Sequence, residues 1–262
     1  MKSPRLLAAV VLVLLGFACL ARAQNQPAEF IQVVTVTVKS EAVSEYEDSV
    51  KKIVAAANKV GAPQRVYTQQ VVRGGPGFTY KIVLPFSKWS EVDAWTPVPD
   101  MLVKAYGEAE AAKILKTWRA AVQHSDSEVF RLLPGLSTRP QSFRFPLAYV
   151  FVVRTEVKPE LASAYELYLA KLKAAQEQAA DAPTVVRRVS AQGLSSTYIT
   201  SIPFDKNSEL DGWSSPGETL RKAYGEAEAR HIIESSLRCV SKREIFVNAY
   251  RPDLSRPPAG SR

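Results

Sequence analysis

Two cysteines, two histidines and two methionines are all that a chain of 262 residues carries of these types. One cysteine, Cys19, falls inside an apolar run near the start. If that run is removed, Cys239 stands alone and an intrachain disulfide is excluded. The fold must then stand on its packed core. His124 and His231 are too few for a multi-histidine metal centre. Walker-type sequences, Gly-rich phosphate loops and a nucleophile elbow are missing too. The apolar run itself, Leu6 to Leu20, is about 15 residues long, short of what a bilayer crossing needs.

That run has a basic start (Lys2, Arg5) and a small-residue exit (Ala21, Arg22, Ala23). Residues 1–23 therefore read as a cleaved secretory signal. Gly16 stands three positions before Cys19, where a lipobox would have Leu, so the motif does not favour lipidation. Cleavage after Ala23 removes Lys2, Arg5 and Arg22 and no acid, lowering the formal charge from +8 to +5. The expectation is an exported protein, periplasmic or secreted. Its positive charge is modest and dispersed, which argues against a nucleic-acid partner.

What the chain does have is a duplication. Lys104–Ala111 reads KAYGEAEA, and so does Lys222–Ala229, 118 residues later. At the same spacing Leu84-Pro85-Phe86 matches Ile202-Pro203-Phe204, Trp95 matches Trp213, and Thr79-Tyr80 matches Thr197-Tyr198. One residue further, Tyr46-Glu47 matches Tyr165-Glu166. Ordered matches over this length mean an internal repeat. Repeat 1 is expected at 30–137 and repeat 2 at 147–250, with a linker at 138–146 and a disordered, dispensable tail at 251–262.

Each repeat has the same periods. Alternating valines around Val33–Val38 give a strand, and Val43, Tyr46, Val50, Ile53 and Ala57 recur at helical spacing until Gly61-Ala62-Pro63. Two strands follow, separated by the Gly-rich stretch Arg73–Gly77. A helical segment through the octapeptide and a last strand complete βαββαβ. That order is the ferredoxin-like unit, whose sheet has one bare face to be covered. The fold class is accordingly α+β: two tandem ferredoxin-like units whose antiparallel sheets pack face to face as an intramolecular barrel, helices outside.

In this order and duplication the chain resembles the dimeric α/β-barrel superfamily. Its members include antibiotic-biosynthesis-type monooxygenases, NIPSNAP-like proteins, chlorite dismutases and dye-decolourising peroxidases. The resemblance implies two alternatives for function. One is a cofactor-independent monooxygenase acting on an aromatic, quinol-like substrate, with Trp95 and Trp213 compared to the pocket Trp of that family. The other is haem binding through His231, on the long second helix of repeat 2. Against the second, His231 has Glu234, Ser235 and Arg238 at helical spacing, a polar face.

The octapeptide is best read structurally. Gly107 and Gly225 would mark a junction between two helices, with Glu108 and Glu226 at the next N-terminus. The sharper reading has Tyr106 and Tyr224 lining a pocket with the tryptophans. Two asymmetries between the repeats point to repeat 2. Thr35 and Thr37 correspond to Arg154 and Glu156, which alternation places between the sheets, as an ion pair or as a ligand anchor. Trp118 corresponds to Ser236, a large volume lost, filled by neighbours such as Leu237 and Cys239 or left as a cavity.

The candidate ligand-binding residues are Tyr198, Trp213, Tyr224, Ser236, Arg154 and Glu156, bounded by Cys239. No catalytic set, metal site or cofactor is indicated, and Glu156 is the sole candidate general base. The expectation is a small-molecule-binding or structural module. A small apolar or aromatic ligand is the suggested partner, and the chain would be a monomer or weak homo-oligomer with no membrane span after cleavage.

Overall fold

The computed structural model describes residues 27–143, 148–179, 182–192 and 196–257. The expected signal at 1–23 lies outside them. Eight antiparallel strands form a closed barrel, in the order β1-β3-β2-β8-β5-β7-β6-β4. The first four are β1 (Phe30–Val38), β2 (Tyr67–Arg73), β3 (Thr79–Phe86) and β4 (Val122–Leu132). The second four are β5 (Tyr149–Val157), β6 (Val186–Ser190), β7 (Ser196–Phe204) and β8 (Val240–Tyr250). Each half thus contributes the neighbours β4-β1-β3-β2 or β8-β5-β7-β6.

The halves meet edge to edge rather than only face to face. β2 pairs with β8 through Gln69↔Tyr250 and Gln70↔Ala249, and β4 pairs with β6 through Phe130↔Ser190 and Arg131↔Val189. Closure pairs the four outer strands that two separate sheets would have left exposed.

Helices cover the outside. In half one these are α1 (Val43–Lys59), the short α2 (Trp89–Asp93), α3 (Val98–Tyr106) and α4 (Glu108–Ala121). In half two they are α5 (Ala162–Glu177), α6 (Pro216–Tyr224) and α7 (Glu226–Cys239). Alternation along β1 divides the space. Val34, Val36 and Val38 pack against Tyr46 and Val50 of α1, whereas Ile31, Val33 and Thr35 face the barrel interior.

The octapeptide is the helix–helix junction. Gly107 sits between α3 and α4 at φ 84°, ψ 165°, and Gly225 between α6 and α7 at φ 80°, ψ 169°. Only glycine adopts this region without strain. Several of the remaining letters have the same partner in both halves. Tyr106 donates its hydroxyl to the Lys52 carbonyl of α1 at 3.2 Å, and Tyr224 donates to Lys171 of α5 at 3.1 Å. Glu110 and Glu228 pair with the ammonium groups of those same lysines, at 3.2 and 2.7 Å. Ala111 and Ala229 are buried against the first helices. The repeated stretch locks each helix pair together and does not line the barrel interior.

The segment after β8 corrects the expected disordered tail. Pro252–Leu254 forms a 3-10 turn that docks on α1 and β2 of half one, with Leu254 wholly buried. Ser255 Oγ accepts the Thr68 amide at 2.8 Å, and Arg256 pairs with Val66. Arg251 binds both carboxylate oxygens of Glu47 and also Asp253. Within 251–257 the chain is therefore a clasp.

The same clasp occurs 118 residues earlier, at the end of the expected first repeat. Pro134–Leu136 docks on α5 and β6 of half two, Ser137 Oγ accepts the Arg187 amide at 2.9 Å, and Thr138 pairs with Val185. Each half closes onto the other through a Pro-x-Leu-Ser turn, so the repeat extends to Ser137 and Ser255.

Candidate functional site

Inward-facing residues from all eight strands leave a cavity of about 70 Å³ inside the barrel. Its wall is mainly apolar: Ile31, Val33, Val83, Phe130, Val150, Val152, Ile199 and Phe246. Phe143, from the segment joining the halves, adds a buried ring. The polar lining groups are Thr35, Gln69, Lys81, Glu128, Arg154, Arg188, Ser201 and Asn248.

The two halves furnish this interior unequally. At the repeat spacing of 118 or 119 residues, Thr35 answers to Arg154, Lys81 to Ile199, Phe130 to Asn248 and Gln69 to Arg188. A near-twofold scaffold thus encloses an asymmetric set of groups. Such asymmetry is what recognition of an asymmetric small molecule requires.

Three cations line the cavity and their environments differ. Arg154 binds Glu156 at 2.5 Å and both oxygens of Glu128 at 3.0 and 3.2 Å, with Glu244 at 3.6 Å. Burial pulls its pKa down, but the hydrogen bonds it donates to Glu156 and Glu128 outweigh that and the net direction is up. Lys81 donates to Thr35 Oγ1 at 2.9 Å and lies 5.1 Å from the centre of the Phe246 ring, a cation–π contact. Burial pushes the Lys81 pKa down.

Arg188 is the exception. It is 2% exposed, and among the described residues it makes one hydrogen bond, from Nη2 to the Ala28 carbonyl at a long 3.4 Å. Its Nε has no partner. Among the described residues no carboxylate forms an ion pair with it, and burial alone pushes the guanidinium down to about 10. Its sequence neighbour Arg187, equally buried but on the opposite face of β6, is held by the Leu136 carbonyl and by Gln176 Oε1 at 3.0 Å. Arg187 thus serves the clasp, while Arg188 is turned into the cavity.

Asn248 repeats the pattern. Its Nδ2 donates to Gln69 Oε1 at 3.0 Å and its Oδ1 has no partner. Buried side-chain atoms without partners are uncommon in folded proteins, and each calls for a cause. Among the described residues four such atoms occur, and two of them, Arg188 Nε and Asn248 Oδ1, belong to residues lining this one cavity.

Of the six residues expected to bind ligand, Arg154 alone lines it. Glu156 is engaged by Arg154 and is no free base. Tyr198 lies on the outer face of its sheet with Val157, Tyr165, Leu169 and Cys239, and its hydroxyl donates to Glu166 at 3.0 Å. Trp213 packs edge-on against Phe204 and Phe151, as Trp95 does against Phe86. Tyr224 is the helix clamp described above.

Ser236 is buried, with its hydroxyl turned back to the Ile233 carbonyl. Tyr168 of α5 packs against the clusters holding Cys239 and Ile232 and stands where half one has Ser49. A large and a small residue have changed helices between the halves, and Ser236 does not line the barrel cavity. Leu237 takes no part, being exposed. His231 is exposed on α7, away from the cavity. Among the described residues no group of histidine, cysteine and acidic side chains is placed to hold a metal ion, and no helix is long and apolar enough to cross a membrane.

Sequence reasoning missed Arg188, Asn248, Lys81 and Glu128. The available signal was Arg187-Arg188 in a strand: two adjacent arginines cannot both face outward.

No protein-family model matches the sequence, and no curated protein matches it. Solved structures do. A candidate monooxygenase from Lactobacillus acidophilus aligns over 88% of this chain and 96% of its own, at 11% identity and a TM-score of 0.50. Another, from Fusobacterium nucleatum, aligns over 86% and 93%, at 11% identity and 0.51. An anthrone oxidase-like protein aligns over 85% and 92%, at 12% identity and 0.50. At this identity the likenesses show a shared fold, the closed eight-stranded α/β barrel, and no specific family.

Proposed function

We propose that this protein is a small-molecule-binding module whose site is the barrel interior. The observation that carries the reading is the pairing of an apolar wall with buried polar atoms that lack partners, Arg188 Nε and Asn248 Oδ1, in one cavity. Ligand sites combine such walls with a few convergent polar groups. We further read the halves as fused ferredoxin-like units, each covering the other's bare sheet face. Fusion supplies within one chain the cover that a second chain would otherwise give, which supports a monomer. Export with cleavage near Ala23 is part of the same proposal.

Native mass spectrometry of the full chain, purified under non-denaturing conditions, tests the site. A copurifying small molecule that is lost when Val152→Trp fills the cavity supports it. Undiminished binding in a folded Val152→Trp variant would move the site elsewhere.

The structural neighbours supply a second reading, oxygen chemistry on an aromatic substrate. Oxygen consumption with an anthrone as substrate separates it from binding alone.

A further inference from the structure

We infer that the interior cavity selects a small organic acid, whose carboxylate is received by the Arg188 guanidinium while its body lies on the apolar wall. This rests on the cavity being the binding site, and it replaces the apolar ligand expected from the sequence with an anionic one.

The argument proceeds by elimination among the groups present. Asn248 Oδ1 is an acceptor and cannot receive an anion. Arg154 is already engaged by Glu128 and Glu156, with Glu244 near, so an added carboxylate would have to displace an acid already there. Lys81 is committed to Thr35 and lies over the Phe246 ring. Arg188 alone combines complete burial with the absence of any counter-ion. Its planar fork presents parallel N–H groups that match the two oxygens of a carboxylate. The single long bond to Ala28 leaves Nε free for that role.

The wall decides between an organic and an inorganic anion. Phe130, Val150, Ile199 and Phe246 surround the space with hydrocarbon. A carboxylate bearing a short aliphatic or aromatic body would cover these surfaces; chloride or phosphate would leave them facing water. The small volume, about 70 Å³, favours a short body. Pockets for drug-sized ligands run to roughly 300 Å³ and more.

The test is calorimetric titration of the full chain at fixed ionic strength. The probes are acetate, isobutyrate and benzoate, each beside its neutral amide, with inorganic phosphate as a further probe. At least one acid is expected to bind at least about tenfold tighter than its amide and than phosphate. Arg188→Met should bring the acid-to-amide ratio near one while its melting temperature without probe stays at or above that of wild type, because a buried charge has been removed. Should Arg188→Met fail to fold, Arg188→Lys should retain acid preference but weaken it, since the paired donors are lost. Equal binding of acid and amide overturns the inference and leaves the cavity as a site. Phosphate binding as tightly as the acids, or acid preference persisting in Arg188→Met, overturns it too. Absence of binding by every probe overturns both the inference and the reading on which it rests.

Discussion

Gly225 shows how much one residue can carry. Its backbone lies at φ 80°, ψ 169°, and a Cβ there would meet nothing within 4 Å, so the demand is conformational and not steric. Replacing it with alanine should cost about 1–3 kcal/mol, the usual cost of holding a residue in a sparsely populated region. Urea unfolding of Gly225→Ala, and of Gly107→Ala at the equivalent junction, reads this directly; an unchanged midpoint would mean the junction is not strained.

Glu47 makes a prediction of a different kind. The Arg251 hydrogen bonds, with help from the Tyr80 hydroxyl, hold its carboxyl below the ordinary value of 4.5. A depressed folded-state pKa contributes stability above the unfolded value and loses it as pH falls through the folded one. Wild type should therefore lose stability progressively below about pH 4.5. In Arg251→Ala this part of the acid limb should flatten, with about 1–2 kcal/mol lost at neutral pH, since the pair is partly exposed. Denaturant midpoints between pH 2 and 7 give the comparison.

Elements are where the sequence was most legible and where it also misled. Valine alternation in β1 separated helix-facing from interior positions, and the same comparison on β5 put Arg154 inside. The octapeptide glycines marked their junctions because no other residue takes that backbone. The clasps were hidden because the shared Pro-x-Leu-Ser is only four residues long and falls at the end of the expected first repeat and in the expected tail. Their role depends on contacts with the opposite half, which the local pattern does not contain. Leu254 is wholly buried in the cluster formed by Tyr46 and Val50 of α1, Val36 and Val38 of β1 and Tyr80 of β3. Leu254→Ala should cost about 2–5 kcal/mol. A tail that were dispensable would tolerate the change, and thermal melts of this variant beside a chain ending at Tyr250 decide the matter.

For the whole molecule, closure has consequences that neither half shows alone. Residues 27–139 expressed separately would expose β2 and β4 along their free edges, and would lack the turn that buries Leu254. Such a half should self-associate through those edges or aggregate. Light scattering after size exclusion gives its mass, and a stable monomer would contradict the interdependence of the halves. Closure also explains why the cavity residues escaped sequence reasoning. Gln69 and Arg188 are equivalent by spacing, but nothing local says that they face a common interior until β2 joins β8 and β4 joins β6. The residues expected to bound a pocket in half two do not line the barrel cavity for a related reason: the small Ser236 is legible in the sequence, but the large Tyr168 that accompanies it stands in another helix.

The central claim is that Arg188 is a buried cation with no counter-ion among the described residues and with its Nε–H free for a ligand's carboxylate. Its Nε–H resonance in a nitrogen–proton correlation spectrum, assigned by its disappearance in Arg188→Met, reports on that atom directly. Addition of benzoate or isobutyrate should shift this resonance saturably, while the matching amide and inorganic phosphate leave it in place. A resonance that does not move with either acid, or that follows acid and amide alike, would contradict the account.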